Sequence, residues 1–215
     1  MRQAPHQVLA TYQEILDWMQ EPISTEPTRQ FISDRFHHHL ALAGLSLREH
    51  NFLPQQTDRE IGAPPKPIAI WLDRIRSAHN IGSIVRTTEA FRLGTLYFSQ
   101  NMAFIDHKQV QDAAMGTHLW VESYRDIALE ELPKPVIALE TTPEALSIHD
   151  YLFPESFTLA IGNEEYGLSK ETLSLADIIV TIPLTGRKNS LNVANAFAIA
   201  AAEIHRQAYT TGKKP

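Results

Sequence analysis

From residue 68 onward, short apolar runs alternate with segments of helical periodicity, and this alternation limits the possible folds more than any other feature of the chain. Runs that are apolar throughout are typical of strands covered on both faces. Strands that alternate with helices predict a parallel sheet with helices packed on it. The predicted strands are Ile68–Leu72, Thr95–Ser99, Val136–Glu140, Phe157–Gly162 and Ile178–Pro183, with a weaker one near Leu119–Ser123. The predicted helices are Asn80–Phe91, His107–Thr117, Leu168–Ala176 and Leu191–Ala208.

The N-terminal residues 1–66 are predicted to form a helical extension. Apolar residues recur at helical spacing from Ala4 to Gln20 and again from Thr28 to Leu45, where Gly44 is a plausible stop. The proline-rich stretch Gly62–Pro67 is typical of a stiff hinge. We therefore predict two parts, a 1–66 extension and a 67–215 α/β domain, which 215 residues are enough to form.

Several classes of protein are disfavoured by what the sequence lacks. The chain has no cysteine, so it has no disulfide framework or thiolate nucleophile, which fits a reducing cytoplasm. We find no signal peptide and no apolar run long enough to span a bilayer, and we expect no membrane partner. The fingerprints of dinucleotide-binding proteins, P-loop proteins, α/β-hydrolases and zinc proteases are also absent.

Charge and histidine placement narrow the possible ligands. The net charge of −6 argues against a protein that coats nucleic acid nonspecifically, although it leaves room for local basic patches. Three adjacent histidines, His37 to His39, lie in a helical pattern. Successive residues of a helix point in different directions, so these side chains make a poor ligand set and we predict no metal site.

Three junctions at strand ends carry small polar side chains, glycine or both: Asn80–Gly82, Gly162–Glu164 and Asn189–Asn195. The N–H groups at the start of a helix favour polar or anionic ligands. Ligands of parallel sheets bind beyond the carboxyl ends of the strands, where all three junctions are predicted to lie. We therefore expect the three junctions to form one composite site.

Each junction also has a purely structural interpretation. Asn80, Ser190 and Asn192 are natural N-cap residues, and Arg86 is then a solvated side chain one turn further along. The turn between Gly162 and Gly167 is then an ordinary loop with solvated acids. Capping explains each junction alone, but it does not explain all three in this order. The helix that follows the third junction is apolar nearly all round, so we expect it to be buried.

The three junctions, in order, resemble motifs of the SpoU/TrmH family of RNA ribose 2′-O-methyltransferases, within the SPOUT superfamily. The resemblance covers about residues 66–208. The matching stretches are Asn80–Thr87, Gly162–Ser169 and Ile182–Leu184 with Ser190–Val193, together with an intermediate match at Ala114–Val121. One such motif is weak evidence, whereas three in order on an α/β pattern are specific.

The resemblance implies a SPOUT methyltransferase fold with a C-terminal trefoil knot, which hydrophobic patterning could not reveal because knots are rare. It also implies S-adenosylmethionine as cofactor, a homodimer, and no metal. The implied activity is methylation of a ribose 2′-hydroxyl in RNA, with tRNA favoured over rRNA. Two alternatives remain open, a non-catalytic RNA-binding or assembly factor with the same fold, and a SPOUT enzyme that methylates a base.

The resemblance also assigns roles to residues. Arg86 resembles the catalytic arginine of the family, and we expect it to bind the adjacent phosphate and position the hydroxyl because a guanidinium is a poor base. The other implied active-site residues are Asn80, Glu164, Ser190 and Asn192. The implied cofactor-binding residues are Leu139, Thr141, Gly162, Ile182 and Leu191. For RNA docking by an acidic chain, the local cations are Arg74, Arg76, Arg86, Arg92, Arg187 and Lys188.

Overall fold

The computed structural model describes residues 13–18, 29–43 and 63–210. The chain divides into two compact units, Met1–Phe52 and Leu53–Pro215. In the first unit, residues 13–18 form helix α1 and Arg29–Leu42 form helix α2. The remaining parts of the predicted N-terminal helices, including the stop at Gly44, lie outside the described residues. The predicted boundary between residues 66 and 67 stays a prediction.

The second unit is built on a seven-stranded sheet in which every pairing is parallel. The strands are β1 (Ile68–Leu72), β2 (Gly94–Phe98), β3 (Ser123–Arg125), β4 (Val136–Leu139), β5 (Leu146–Ser147), β6 (Phe157–Ile161) and β7 (Ile178–Thr181). The helices are α3 (Ala78–Phe91), α4 (Lys108–Ala114), α5 (Lys170–Leu175) and α6 (Val193–Thr210), with short 3-10 helices at Thr117–Leu119 and Leu129–Glu131.

The predicted α/β alternation is confirmed, and five of the strands lie within two residues of their predicted bounds. The weak strand predicted near Leu119–Ser123 is wrong in position, because a 3-10 helix occupies Thr117–Leu119 and β3 begins only at Ser123. The helix predicted over His107–Thr117 ends at Ala114, where the next residue takes a left-handed backbone conformation. Strand β5 was not predicted, since two residues carry no periodic signal.

The strand order β3-β2-β1-β6-β4-β7-β5 places β6 between β1 and β4. In register, Leu139 of β4 lies beside Ile161 of β6 and Val180 of β7, and Leu72 of β1 lies on the other side of Ile161. Because the strands are parallel, the loops that follow β1, β6, β4 and β7 leave the same edge of the sheet side by side. All three polar junctions belong to these loops.

Coverage of the sheet differs between its two halves. Strands β1 and β6 are buried along their whole length, as predicted for strands covered on both faces. In β2, however, burial alternates: Leu96 and Phe98 are buried in the main core, while Tyr97 on the other face is only partly covered. The outer half of the sheet therefore has one face that the described residues leave open.

The C-terminal helix α6 departs from its predicted full burial. Phe197, Ala201 and Ile204 are buried in the main core, and α6 packs against α3. Its opposite face carries Ile199, which is 38% exposed, with Ala202 and other exposed residues. The predicted full burial is therefore wrong for the described residues, because they cover only one face of α6.

Candidate active site at the edge of the sheet

Glu164, in the loop after β6, is the centre of a hydrogen-bonded cluster. Its carboxylate accepts hydrogen bonds from the backbone N–H groups of Arg76 (3.0 Å) and Ser77 (3.1 Å), in the loop after β1. It also accepts one from Nδ2 of Asn80 at 2.8 Å. Glu164 therefore ties the end of β6 to the loop that leads from β1 into α3.

Asn80 extends the hydrogen-bonded cluster to the third junction, Asn189–Asn195. Its Oδ1 accepts a hydrogen bond from Nδ2 of Asn192 at 3.1 Å. The Oδ1 of Asn192 in turn accepts from the backbone N–H groups of Ala194 (3.0 Å) and Asn195 (3.3 Å), in the first turn of α6. Glu164, Asn80 and Asn192 thus form one continuous network, and the three junctions meet as the sequence predicted.

The capping roles differ from the sequence interpretation at one junction. Asn192 does cap α6, as its bonds to the first turn show. Asn80 is not the N-cap of its helix, because α3 begins two residues earlier and Ser77 is the cap, accepting from the Asn80 N–H at 3.3 Å. Because the Asn80 side chain does not cap the helix, it can bond to Glu164 on one side and to Asn192 on the other.

Hydrogen bonding also sets the charge state of Glu164. Partial burial by itself raises the pKa of this carboxyl, but hydrogen bonds from Arg76, Asn80 and Ser77 outweigh that effect, and the pKa lies below its ordinary value. A carboxylate that stays ionised is acceptor-only. It therefore orients the Asn80 amide with its N–H groups toward Glu164 and its oxygen toward Asn192.

The loop after β6 is held in a single tight turn by backbone contacts. Asn163 and Gly167 exchange two backbone hydrogen bonds of 2.8 and 3.0 Å. At Gly162 a Cβ atom would lie 2.3 Å from backbone atoms of Gly167 and Leu168, so only glycine fits. The buried Asn163 side chain donates to the Arg74 carbonyl and accepts from the Glu165 N–H. This packing fixes the position of Glu164.

Two further acids shape this edge of the sheet, and sequence reasoning missed both. The carboxylate of Glu140, directly after β4, accepts from the N–H groups of Thr141 (2.8 Å) and Leu168 (2.9 Å). Asp73, directly after β1, is buried and accepts from the Ser169 N–H at 2.7 Å. The available signal was an acid at the end of a predicted buried strand, as Glu140 is, or directly after one, as Asp73 is.

The predicted cofactor-binding residues lie on three adjacent strands. Leu139 ends β4, Gly162 follows β6, and Ile182 follows β7, whose ends are neighbours in the sheet. Thr141 lies in the loop after β4, and Leu191 is 41% exposed in the loop before α6. Leucine and isoleucine side chains beside close-packed backbone suit a flat aromatic ring bordered by polar groups. These residues therefore fit an adenine-containing cofactor.

Arg86 lies on α3 but outside the network. It is exposed, and its Nη1 donates to the sulfur of Met115 at 3.0 Å. Met115 is close because α3 and α4 pack tightly at Gly82, where a Cβ atom would lie 2.5 Å from the Ala113 Cβ and 2.6 Å from a backbone oxygen. Six residues separate Asn80 from Arg86, a rise of about 9 Å along the helix. The structure thus brings together three of the five predicted catalytic residues.

Ser190 is the other predicted catalytic residue outside the network. It lies in the loop between β7 and α6, in which residues 183–192 are all exposed. Its hydroxyl makes no hydrogen bond with any residue that the structure describes. Ser190 is nevertheless only two residues from Asn192, so it lies next to the network along the chain.

The predicted RNA-binding cations other than Arg86 lie in three places. Arg74 and Arg76 follow β1, where they pair with Glu171 (3.7 Å) and Glu165 (2.7 Å) respectively. Arg187 and Lys188 are exposed in the loop between β7 and α6. Arg92 is different, because it follows the C-terminal end of α3 and donates to the Ala63 carbonyl at 2.6 Å. It lies about 18 Å along α3 from Asn80, so the structure separates it from the others.

Two features are absent from the residues that the structure describes. No group of three or more His, Asp or Glu side chains is arranged to hold a metal ion within residues 13–18, 29–43 and 63–210. In the same part of the chain, no helix has the length and apolar character needed to cross a membrane.

Comparison with known proteins gives one consistent match. The sequence model of the SpoU rRNA Methylase family matches residues 67–202. An uncharacterized tRNA/rRNA methyltransferase of Synechocystis is 33% identical over 158 residues, which are 66% of this chain and 38% of that protein. A tRNA (guanosine(18)-2′-O)-methyltransferase of Aquifex aeolicus is 26% identical over 155 residues, which are 66% of this chain and 70% of the relative.

Solved structures give the same match for the fold. The SpoU methyltransferase AviRb from Streptomyces viridochromogenes, in complex with the cofactor AdoMet, has a TM-score of 0.62 at 25% identity. The match covers 67% of this chain and 62% of that one. The parallel seven-stranded sheet is therefore the sheet of the SPOUT methyltransferases.

Proposed function

The chain belongs to the SpoU rRNA Methylase family, and we propose that it transfers a methyl group from S-adenosylmethionine to a ribose 2′-hydroxyl of RNA. The observation that carries this proposal is the network of Glu164, Asn80 and Asn192. It joins three motif positions that are far apart in the sequence, at the edge of the sheet where the cofactor residues lie.

The chemistry requires alignment more than activation. When bound, S-adenosylmethionine would supply the methyl group: its carbon–sulfur bond would break as the carbon–oxygen bond formed, leaving S-adenosylhomocysteine, and the hydroxyl proton would pass to solvent. Arg86 binds the phosphate next to the target ribose and so positions the hydroxyl. Asn192, held by Asn80 and Glu164, fixes the RNA-facing side of the site. Positioning of this kind is a proximity effect and requires no metal ion.

Replacing Arg86 with Ala tests the assignment of the site. We expect this variant to lose methyl transfer to RNA while it binds S-adenosylmethionine with unchanged affinity, because Arg86 lies outside the cofactor residues. Incorporation of labelled methyl groups measures the first, and calorimetry the second. Lys134→Ala is the control, because this exposed cation precedes β4 and so lies at the opposite edge of the parallel sheet. Full activity of Arg86→Ala would show that the assignment is wrong.

Digestion of the labelled RNA to nucleosides separates the remaining alternatives. Label in a 2′-O-methylnucleoside supports ribose methylation, and label on a base would instead make the protein a base methyltransferase. RNA binding without any label would identify a non-catalytic RNA-binding or assembly factor. We favour tRNA over rRNA because the Aquifex aeolicus relative is named a tRNA methyltransferase. Separate incubations with purified tRNA and rRNA test this preference.

We also propose that the C-terminal part of the chain forms a trefoil knot. The similarity to the SpoU methyltransferase fold supports this. The path of the chain supports it as well, because the segment that leads from β5 back to β6 is bound to α6. Gln207 of α6 donates to the Tyr151 carbonyl at 2.9 Å and accepts from the Phe153 N–H at 3.0 Å.

We expect the protein to work in the cytoplasm as a homodimer.

A further inference from the structure

A cleft of about 450 Å³ lies beyond the carboxyl ends of β1, β2 and β3, on the half of the sheet away from the cofactor residues. Residues of α5 line part of it: Glu171, Thr172 and Leu175. Each of the three strands is followed by a residue with a left-handed backbone that turns the chain around the cleft: Arg74, Asn101 and Asp126. A cleft of this size accommodates a small organic ligand.

The side wall of this cleft contains a polar atom without a partner. Trp71 of β1 lines the cleft and is only 8% exposed, yet its indole Nε1 makes no hydrogen bond with any described residue. A buried donor without an acceptor costs free energy, so such groups are rare unless a ligand or water meets them. The N–H is itself covered from solvent, so an acceptor in the cleft reaches it only when the indole ring turns outward.

The cleft also offers free amide and carboxylate groups. The side chains of Gln100 and Asn101 make no hydrogen bonds within residues 63–210, and neither do the carboxylates of Asp126 and Glu130. They present donors and acceptors within one cleft. Nucleobases carry just such a mixture of carbonyl acceptors and N–H donors on their edges. Purely apolar ligands would leave these groups unsatisfied.

Charge decides which part of a nucleotide can enter. The charged groups that line the cleft are four carboxylates and one guanidinium: Asp73, Asp126, Glu130, Glu171 and Arg74. Arg74 is already within 3.9 Å of Asp73 and 3.7 Å of Glu171. A phosphate would meet net negative charge, whereas an uncharged base would not.

An aromatic row leads to the cleft across the open half of the sheet. In register, Trp71 lies beside Tyr97 of β2, and Tyr97 lies beside Tyr124 of β3. The two tyrosine rings are stacked, with centroids 5.8 Å apart. Tyr124 is 47% exposed, so the outer end of the row faces solvent. Exposed aromatic rings on a sheet are surfaces on which unstacked RNA bases bind.

We propose that this cleft binds a splayed-out nucleobase of the substrate RNA and reads its hydrogen-bonding edge, a proposal that rests on the proposed function for the source of the base. The cleft and the methyl-transfer site share the loops after β1 and β6. Asp73 in the cleft binds the Ser169 N–H, and the Arg74 carbonyl accepts from Asn163 beside Glu164. A base held in the cleft would therefore fix the RNA relative to the reacting ribose.

Nuclear magnetic resonance of the whole chain tests this directly. The sequence has three tryptophans, so an amide correlation spectrum shows three indole peaks, and Trp71→Phe identifies one of them. We expect adenosine, guanosine, cytidine or uridine, at millimolar concentration, to shift the Trp71 peak saturably. S-adenosylhomocysteine is present throughout so that no nucleoside binds in the cofactor site.

Variants connect the shift to the cleft. Asn101→Gly removes the amide and suits the left-handed backbone at this position, where φ is 63°. We expect it to weaken nucleoside binding about tenfold, the effect of losing one or two hydrogen bonds. Gln109→Ala, an exposed amide on α4 outside the cleft, is the matched control and should bind as the original chain does. A Trp71 peak unmoved by all four nucleosides, or moved equally in Asn101→Gly, would overturn the proposal.

Methyl transfer gives a second readout. We expect Trp71→Phe and Asn101→Gly to lower kcat/KM for the methylated RNA about tenfold, with unchanged affinity for S-adenosylmethionine. Unchanged kcat/KM in both variants would also overturn the proposal. If the original chain methylates no RNA at all, the proposed function fails, and the nucleoside titration still decides whether the cleft binds bases.

Discussion

At the scale of single residues, the site is organised by side chains that bond in two directions. Asn80 uses its amide nitrogen on Glu164 and its oxygen on Asn192, and Asn192 uses its nitrogen on Asn80 and its oxygen on the start of α6. A side-chain amide both donates and accepts hydrogen bonds in fixed directions. A carboxylate at either position would leave two acceptors facing each other. This explains why asparagine recurs at these junctions.

Asn192→Ala is predicted to harm activity far more than stability. The lost cap should cost about 1 kcal/mol in the free energy of unfolding. Methyl transfer should fall about 100-fold, because the RNA-facing group of the network is lost and small misplacements of reacting groups have effects of this size. Chemical denaturation measures the first quantity and initial rates of labelled methyl incorporation measure the second.

Neighbouring residues provide the comparison for this prediction. Ser190→Ala should also reduce methyl transfer, with almost no loss of stability, because its hydroxyl makes no hydrogen bond within the described residues. Asn189→Ala is the matched control, an exposed asparagine of the same loop outside the network. Equal losses of rate in Asn192→Ala and Asn189→Ala would show that the network has no part in the reaction.

At the scale of elements, α6 carries a polar cluster in its otherwise apolar buried face. Glu203 is only 7% exposed and accepts two hydrogen bonds from Arg206, at 3.0 and 2.6 Å, and one from Gln207 at 2.8 Å. Gln207 is also buried and holds the segment between β5 and β6 through Tyr151 and Phe153. The cluster therefore holds the segment between β5 and β6 against α6.

Because Glu203 is charged, the stabilisation that this cluster contributes is predicted to depend on pH. Hydrogen bonds from Arg206, opposed by burial and aided by Gln207, lower the pKa of the Glu203 carboxyl from an ordinary 4.5 to about 2. A depressed pKa means that the stabilisation is complete above about pH 4.5 and is lost as the pH falls toward 2. Glu203→Gln should unfold about 1–3 kcal/mol more easily at pH 7, the cost of losing charged hydrogen bonds.

Thermal unfolding measured from pH 7 down to pH 2 checks this prediction. The difference in midpoint between Glu203→Gln and the original chain should shrink steadily below pH 4.5, as the original carboxyl takes up its proton. Glu144→Gln is the control, because Glu144 is exposed and lies outside the cluster. A difference that stays constant over the whole range would contradict the role assigned to the charge.

At the scale of the whole molecule, the exposed face of α6 is the surface that we expect to join two chains. Ile199 is 38% exposed in the middle of this face, with the small Ala202 and the polar Asn195 on either side. Small side chains allow a second helix to approach closely, and an isoleucine at the centre supplies apolar area. The surface would then explain why a helix with so many apolar residues has only one face in the core.

Ile199→Glu is predicted to convert a dimer into a monomer, because it places a charge at the centre of the proposed contact. Sedimentation velocity measures the change. Leu146→Glu is the matched control: Leu146 is 50% exposed but lies on β5, at the edge of the sheet. An original chain that sediments as a monomer, or an Ile199→Glu variant that stays dimeric, would contradict the assigned surface.

Local patterns in the sequence were enough to locate most of the elements. The apolar runs gave β1, β4, β6 and β7 within two residues, because a strand buried on both faces must be apolar throughout. The polar junctions predicted that one composite site lies at the edge of the sheet, and the resemblance identified the family. The same patterns missed β5, placed β3 too early in the chain and predicted more burial of α6 than the structure shows. A strand of two residues has no periodic signal, and an apolar composition does not say which face of a helix is covered.

The sequence by itself therefore determined most of the strands and helices, because each of those elements has its own pattern of burial and its own end signals. Only the tertiary structure decided that β6 lies between β1 and β4, and that Asn80 meets Glu164 and Asn192, which are 84 and 112 residues away. It also decided that Trp71 has an unpartnered N–H beside an open cleft. Contacts of this kind depend on the order in which strands pair, and no local periodicity specifies that order.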